Sequence, residues 1–520
     1  MKHCYYRFLL FNLFFIVTLG VATAQSELKI QLQDESNNDA ISYATVLFQG
    51  TSRGLISNVD GIIRLPFNTQ EDLPVLEISS LGYTTLIIDS KSLSVDKLNV
   101  LKLSPRLETL EEVVINTTKK GRNKSLRHAI DNAKKIPAHQ IVSIAVNSVG
   151  KNMSNNPYST IGYYRDYQIV KREYYNLNEG ILEDFDAGIS TDKLADSSNV
   201  SVLHSYQKNK RFKANSDYES AYSKGSKYIQ NATILPYGGN EYSLLMVHDA
   251  VRNYNRLSYS FVYRLNTDFI KNHQFKKGKV SFYNDEPIIE ISFEGIPKKI
   301  GYRHKPNGVI RISLIDFSIY YLEYTVTDGF KENPLFSIKN EYRKMDGKMY
   351  LNYITFNNRF VIAERDVFKE SKIVYNKKDN SFLIDFNSNL DLKTIKKKHF
   401  KIKYNNKRVF VKSVETNGAR QVVLKIPDFI DTLKNLDSET TRDLKVAIKD
   451  VYDINGRLIY EPNTIKGYQF REYFVQEVKS DNSFNGDFEK VNKNQRLKAP
   501  KIKDDSISQN YIINSPLIRY

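Results

Sequence analysis

The 520-residue chain contains no tryptophan and a single cysteine, Cys4, close to its first residue. A disulfide-stapled fold is excluded, and so is thiol catalysis by anything beyond residue 4. Proline and glycine are scarce, at 14 and 23 residues, which excludes collagen-like repeats and low-complexity linkers. Beyond Val21 no apolar run approaches the roughly 20 residues of a membrane-spanning helix. What is abundant is tyrosine (35) and phenylalanine (28), within 41% hydrophobic and 26% charged residues. That is the composition of a globular protein, and the length suggests about three domains. Lysine and arginine outnumber the acids 76 to 59, a formal charge of +17.

Residues 1–24 run from a basic start, Lys2 and Arg7, through an apolar stretch from Phe8 to Val21, to Ala22-Thr23-Ala24. This is the pattern of a secretory signal peptide cleaved after Ala24. Asn12 interrupts the stretch, which is too short for a membrane anchor. Cys4 precedes the apolar stretch and so cannot be the lipidated cysteine of a bacterial lipoprotein. The mature chain is therefore expected in the periplasm or peripheral to the outer membrane.

From Leu28 onward short alternating runs (LKIQLQ, YATVLFQG, GIIRLPF, VLEISSLGY, TTLIIDS) are punctuated by Asp60-Gly61 and Leu81-Gly82, which predicts a small antiparallel β-sandwich over 25–117. The A-x-V-x-x-x-G-T pattern from Ala44 to Thr51, S-N-V-D-G from Ser57 to Gly61 and S-S-L-G-Y from Ser79 to Tyr83 resemble the carboxypeptidase-regulatory-like domain. The segment 101–115, LKLSPRLETLEEVVI, resembles the one that closes this module in TonB-dependent receptors of Gram-negative bacteria. About 400 residues follow, without a plug-like sequence, so the receptor barrel is not expected. Glu111-Glu112-Val113-Val114-Ile115 reads as an exit strand, with contact to TonB the lesser alternative.

Residues 118–137 read as a basic linker (KKGRNKS, 119–125) and one helix, with Ser125 as N-cap, Pro137 as stop, and Leu126, Ala129, Ile130, Ala133 and Ile136 on one face. Over 138–378 long tyrosine-rich alternating segments, with turns read at Asn307-Gly308 and Asp346-Gly347, predict one curved antiparallel sheet. An insertion or mobile loop is read at about 190–248. The helix, the Tyr163-Tyr164-Arg165-Asp166 tract and the GVIRIS…IYYLE succession resemble a middle domain found behind regulatory-like modules in envelope proteins. The resemblance implies a half-barrel around a helix, as in periplasmic lipoprotein carriers. Residues 379–475, with F-N-S-N-L-D and V-x-D-x-N-G patterns, resemble bacterial Ig-like domains, which implies a second β-sandwich. The polar tail 476–520 is expected to lack a packed core before NYIINSPLIRY. The fold class is mainly β.

No catalytic constellation is complete. The eight histidines (His3, His128, His139, His204, His248, His273, His304, His399) lack helical zinc spacing and read as isolated surface residues. The regulatory-like name suggests a zinc carboxypeptidase, but the His-x-x-Glu pair of that activity is missing. No G-x-S-x-G elbow, phosphate loop or dinucleotide fingerprint is present. Glu183, Asp184 and Asp186 could flank a glycosidic bond as paired carboxyls, or form a solvated loop. In DVYDINGRLIYE the residues Asp453, Asn455 and Gly456 fit an EF-hand loop, yet Val451 and Pro462 fall at two ligand positions, so a hairpin turn is the simpler reading. No catalytic, cofactor or metal residue is therefore assigned.

Basic clusters occur at Lys119-Lys120-Arg122-Lys124, at Lys298-Lys299 with Arg303, and at Lys396-Lys397-Lys398 near Lys401, Lys403, Lys407 and Arg408. An exported protein rarely meets nucleic acid, so an envelope protein, a glycan or an anionic membrane surface is the expected partner. The leading expectation is a non-catalytic envelope protein that binds or scaffolds at the periplasmic side of the outer membrane. Three alternatives stand beside it. One is a lipid carrier whose cradle includes Ile289, Ile291 and Phe293; the second is a carbohydrate-active hydrolase; the third is a small outer-membrane barrel ending in Tyr520.

Overall fold

Alternating apolar residues in the first hundred positions build two sheets over one core. In the computed structural model, which describes residues 26–51, 53–67, 73–95, 97–108, 120–222, 227–229, 238–256, 263–283, 286–302, 304–328, 334–427, 444–486, 488–501 and 510–514, the chain is mainly β. β1 (Ser26–Asp34), β2 (Thr45–Phe48), β3 (Gly54–Ile56), β4 (Ile62–Phe67), β5 (Val75–Ser79), β6 (Leu86–Asp89) and β7 (Leu98–Leu103) pair in the orders β4-β1-β7 and β3-β2-β5-β6. Leu28, Ile30, Ile63 and Leu65 of the first sheet share a core with Val46, Leu55, Leu76 and Ile78 of the second. β1 and β7 are parallel, so the sandwich is mixed rather than antiparallel; alternation reports burial, not strand direction. The signal segment and Glu111–Ile115 lie outside the described residues.

After β8 (Leu107–Glu108) come α1 (Lys120–Lys135) and α2 (Ala138–Asn152), where the sequence suggested a linker and one helix. Most of the linker is helical, and Ser125 lies inside α1 rather than capping it. Pro137 ends one helix and opens the next, with φ −57° and ψ 148°. α2 buries Ile141, Val142, Ala145, Val146 and Val149, a helical stripe.

The strands that follow are β9 (Tyr158–Val170), β10 (Glu173–Asp186), β11 (Val200–Leu203), β12 (Gln207–Lys208) and β13 (Lys227–Tyr228), then α3 (Glu241–Val247), then β14 (His273–Tyr283), β15 (Glu286–Gly295), β16 (His304–Ser313), β17 (Ile319–Asp328), β18 (Pro334–Met345) and β19 (Lys348–Val367). β20 (Glu370–Asn376), β21 (Ser381–Phe386), β22 (Phe400–Tyr404), β23 (Lys407–Val409), β24 (Ser413–Asn417), β25 (Gln421–Lys425), β26 (Leu444–Ile448) and β27 (Pro462–Ser480) complete the chain. One large sheet runs β11-β10-β9-β27-β19-β18-β17-β16-β15-β14-β8. Its path is open, with β11 and β8 at its ends, so the described strands do not close into the barrel of the third alternative.

Two compact units result: Met1–Ser223, Asn231–Arg359 and Tyr468–Tyr520 form the first, and Lys224–Gln230 with Phe360–Gly467 the second. The second begins at Phe360, ahead of the sequence boundary at 379, and so takes in the end of β19 and the whole of β20. Within the first unit the sandwich docks on the large sheet. Tyr43 stacks on Tyr353 at 5.0 Å, and Asn352 Nδ2 donates to Thr45 Oγ1 at 2.7 Å. The second unit is a sandwich of its own, with sheets β20-β21-β25-β24 and β23-β22-β26 over a core containing Phe382, Ile384, Ile402 and Val422.

Asp346 and Gly347 take φ 47° and 75° in the predicted two-residue turn between β18 and β19. Asn307-Gly308 instead lies within β16, paired with β15 and β17. A Cβ at Gly308 would meet the Glu323 carbonyl oxygen at 1.9 Å and the Phe293 ring at 2.5 Å. Close approach, not a turn, selects this glycine. Gly308→Ala is expected to cost about 1–3 kcal/mol by overpacking, read as a lowered urea midpoint of the first unit. An unchanged midpoint would show that β16 has room to give.

The described parts of the 190–248 region and of the tail contain packed residues. Lys193, His204, Tyr242 and Val247 are buried. Leu497 and Tyr511 are buried as well, and Val491 N donates to Ser201 O at 2.8 Å. Their polar composition hid short apolar anchors, Leu194, Leu203, Leu245, Met246 and Leu497 among them, that join the large core.

Candidate functional site

Glu183, Asp184 and Asp186 lie on β10 rather than in a solvated loop, and all three are buried. Strand alternation sends Glu183 to one face and the two aspartates to the other. Glu183 accepts from Ser159 Oγ at 2.6 Å and lies 3.0 Å from His204 Nε2. Burial raises its pKa, but the bonds from His204 and Ser159 outweigh this and hold it below the usual value. Asp184 pairs with Lys193 at 2.5 Å and accepts from Ser201 Oγ at 2.8 Å. Asp186 receives Arg252 on both oxygens at 2.8 Å, with Lys193 at 3.3 Å. Burial again raises the pKa of Asp186, and Lys193 and Arg252 pull it well below the carboxylate range. The three acids are therefore brought near one another along the strand, but each is engaged by an internal partner.

A second acidic locus escaped the sequence reading. Asp166 on β9 lines a polar recess of about 380 Å³, open solvent included, with Asn178, Tyr206, Glu219, Glu241 and Arg496. Its carboxylate accepts from Tyr164 OH at 3.0 Å, Asn178 Nδ2 at 3.2 Å and Tyr206 OH at 3.4 Å. Burial and then the charge of Glu241 raise its pKa to about 7, against hydrogen bonds from Asn178 and Tyr164 and the charge of Arg471. Glu241 pairs with Arg471 at 2.6 Å, and Glu219 with Arg496 at 2.5 Å and Lys208 at 3.0 Å. Asp166 is the one carboxyl of the recess held by neutral donors alone. The signal was Arg165-Asp166 inside a tyrosine-rich strand: adjacent charges on opposite faces of a doubly buried strand need partners on both. Arg165 finds its own in Glu472 and the rings of Tyr163, Tyr167 and Phe474.

Four of the eight histidines are buried, contrary to the surface expectation: His204, His248, His273 and His399. His248 stacks on Phe356 at 4.0 Å, and burial lowers its pKa to about 3. His273 lies 2.8 Å from Tyr324 OH, and burial lowers its pKa to about 4. Both are neutral packing residues. Asp453, of the EF-hand-like run, is bound by Arg457 Nε at 2.6 Å and Ser388 Oγ at 3.0 Å. Among the described residues no cluster of three or more His, Cys, Asp or Glu side chains could hold a metal ion. Nor is any described helix long and apolar enough to cross a membrane.

Ile289, Ile291 and Phe293 point into the large core, at 0%, 0% and 2% exposure. Phe293 is ringed by Phe269, His273, Phe275 and Tyr324, with centroids 4.9–6.1 Å away. This is packed interior. Of the basic clusters, the side chains at 119–124 and Arg303 lie outside the described residues, and Lys299 Nζ donates to Lys271 O at 2.5 Å.

No protein-family model and no curated protein matches the chain. Among solved structures, a LolA superfamily protein from Nitrosomonas europaea is similar over 57% of this chain and 97% of its own, at 9% identity and a TM-score of 0.18. A domain named for outer-membrane lipoprotein sorting, from Vibrio parahaemolyticus, is 11% identical over 42% and 84% of the two chains, with a TM-score of 0.19. A DUF1329 family protein from Desulfovibrio piger is 7% identical over 43% and 86%, with a TM-score of 0.20. Scores this low establish neither a shared fold nor a shared role.

Proposed function

We propose that the chain is a non-catalytic binding protein of the cell envelope, acting at the periplasmic side of the outer membrane. The observation that supports it best is the engagement of its acids. A glycosidase needs one carboxyl free to protonate a leaving group and a second free to act on the sugar. Glu183, Asp184 and Asp186 are instead spent on His204, Lys193 and Arg252. Function on this reading resides in exposed surface, and the first unit is a scaffold. The resemblance of 25–117 to the regulatory-like module and of 379–475 to Ig-like domains fits such a role, since neither module carries chemistry of its own. A lipid-carrier role would require the packing around Phe293 to open for an acyl chain.

The test is fractionation of the native envelope, with the chain followed by antibody through a low-salt wash, a high-salt wash and detergent. Retention at low salt and release at high salt is expected. Recovery in the cytosol, or release without salt, would overturn the reading. A requirement for detergent would point to a tightly held membrane partner.

A further inference from the structure

In the second unit, β22 is the central strand between β23 and β26, and its side chains alternate between core and solvent. Phe400, Ile402 and Tyr404 face the core together with Val409 and Ile448. The opposite face presents Lys401 and Lys403 from β22, Arg408 from β23, and Lys445 and Ala447 from β26, all exposed. Lys403 stands directly opposite Arg408 on one side and Lys445 on the other. Three like charges in one cross-strand row destabilise a sheet. Among the described residues none of these cations has an ion-pair partner, and the face carries no acid.

Just past β23, Phe410 continues the same alternation and is 60% exposed, with Lys397 Nζ 5.6 Å from its ring centre. Lysines often guard sheet edges against pairing with another chain. That does not account for Lys401 and Lys403, which occupy the middle strand. The fold tolerates an unrelieved positive row around an exposed phenyl ring, and both features suit a surface that is anionic and apolar just beneath.

We propose that this face docks on a bilayer containing anionic phospholipid, with Lys397, Lys401, Lys403, Arg408 and Lys445 against phosphate-bearing headgroups and Phe410 entering the interface. The proposal rests on the binding reading above and names its partner. A soluble acidic polysaccharide would satisfy the cations but give the phenyl ring nothing to enter, so the membrane is the better fit.

The experiment is co-sedimentation of the full chain with phosphatidylcholine vesicles, with or without phosphatidylglycerol, at low and high salt. Binding only to the anionic vesicles, weakened by salt, is expected. The triple variant Lys403→Gln, Arg408→Gln, Lys445→Gln should lower the partition coefficient about 100-fold. Phe410→Ser should lower it about tenfold and leave the salt dependence in place. All four positions are exposed, and an unchanged circular dichroism melt confirms that the variants fold. Equal binding to both vesicle types, or an unaltered triple variant, would overturn the proposal. Capture by a soluble polyuronate without vesicle binding would also overturn it and reassign the face to acidic glycans. Salt-released envelope association without vesicle binding would sink the lipid partner alone, whereas cytosolic recovery would sink the broader reading.

Discussion

Replacing Asp186 by alanine is expected to destabilise the first unit by about 3–5 kcal/mol, because it takes from buried Arg252 its ion-pair carboxylate and leaves Lys193 with Asp184 alone. Arg252 gives Asp186 two charge-assisted bonds, and its remaining contacts are the Gly188 and Thr191 oxygens, which do not neutralise it. Lys193 would retain only Asp184. Asp186→Asn, which keeps the shape and loses the charge, should fall between wild type and alanine. The measurement is the urea midpoint of the first-unit transition, since a chain of two units need not unfold in one step. The depressed pKa of Asp186 also gives the loss a pH signature. Its contribution is present above the unfolded value near 4 and fades as pH falls below it. The alanine variant should therefore approach wild type in acid. A cost below about 1 kcal/mol at pH 7 would mean that water or Thr191 replaces the carboxylate.

The second large effect has the opposite sign. Burial, then the charge of Glu241, pushes the Asp166 carboxyl from the usual 3.8 up to about 7, so its proton is bound more tightly in the folded state. Its stabilising contribution is full below the unfolded pKa and is lost as pH rises through about 7. Asp166→Asn, which imitates the protonated acid, should leave stability near pH 4 almost unchanged and raise it by about 2–4 kcal/mol at pH 8. Glu341, held up at about 7 mainly by burial, adds to the wild-type decline. His248 and His273 oppose it, since burial keeps them neutral and they resist protonation below about 6.5. The difference between variant and wild type, not either profile alone, isolates Asp166. A flat difference from pH 4 to 8 would show that Arg471 and Arg496 keep the carboxylate ionised throughout.

The strand-rich architecture was legible because tyrosine, isoleucine and phenylalanine alternate through β9 and β15–β19, and Asp346-Gly347 supplied a turn with the backbone angles that pair favours. Asn307-Gly308 misled because a glycine chosen for close packing against Phe293 is written exactly like one chosen for a turn. α2 is spelled by Ile141, Val142, Ala145, Val146 and Val149, a helical stripe, but a proline such as Pro137 stops one helix as readily as it opens the next. For the acids, proximity in sequence suggested a shared cleft, whereas alternation along β10 separates Glu183 from Asp184 and Asp186. Their partners Lys193, His204 and Arg252 come from segments whose periodicity says nothing about where they fold back. For Asp166 the Arg165-Asp166 pair in a tyrosine-rich strand was a signal of burial, but not of the recess, whose walls Glu241 and Arg496 are distant in sequence.

β27 lies between β9 and β19, and Thr160 of β9 and Tyr473 of β27, hydrogen-bonded to each other, are 313 positions apart. A nascent chain therefore cannot finish this sheet until β27 has been synthesised, and until then β9 and β19 each present an unpaired edge. Closure over so long a loop is slow. Under the proposed envelope role that delay is useful, because β27 is the strand that commits β9 and β19 to one sheet.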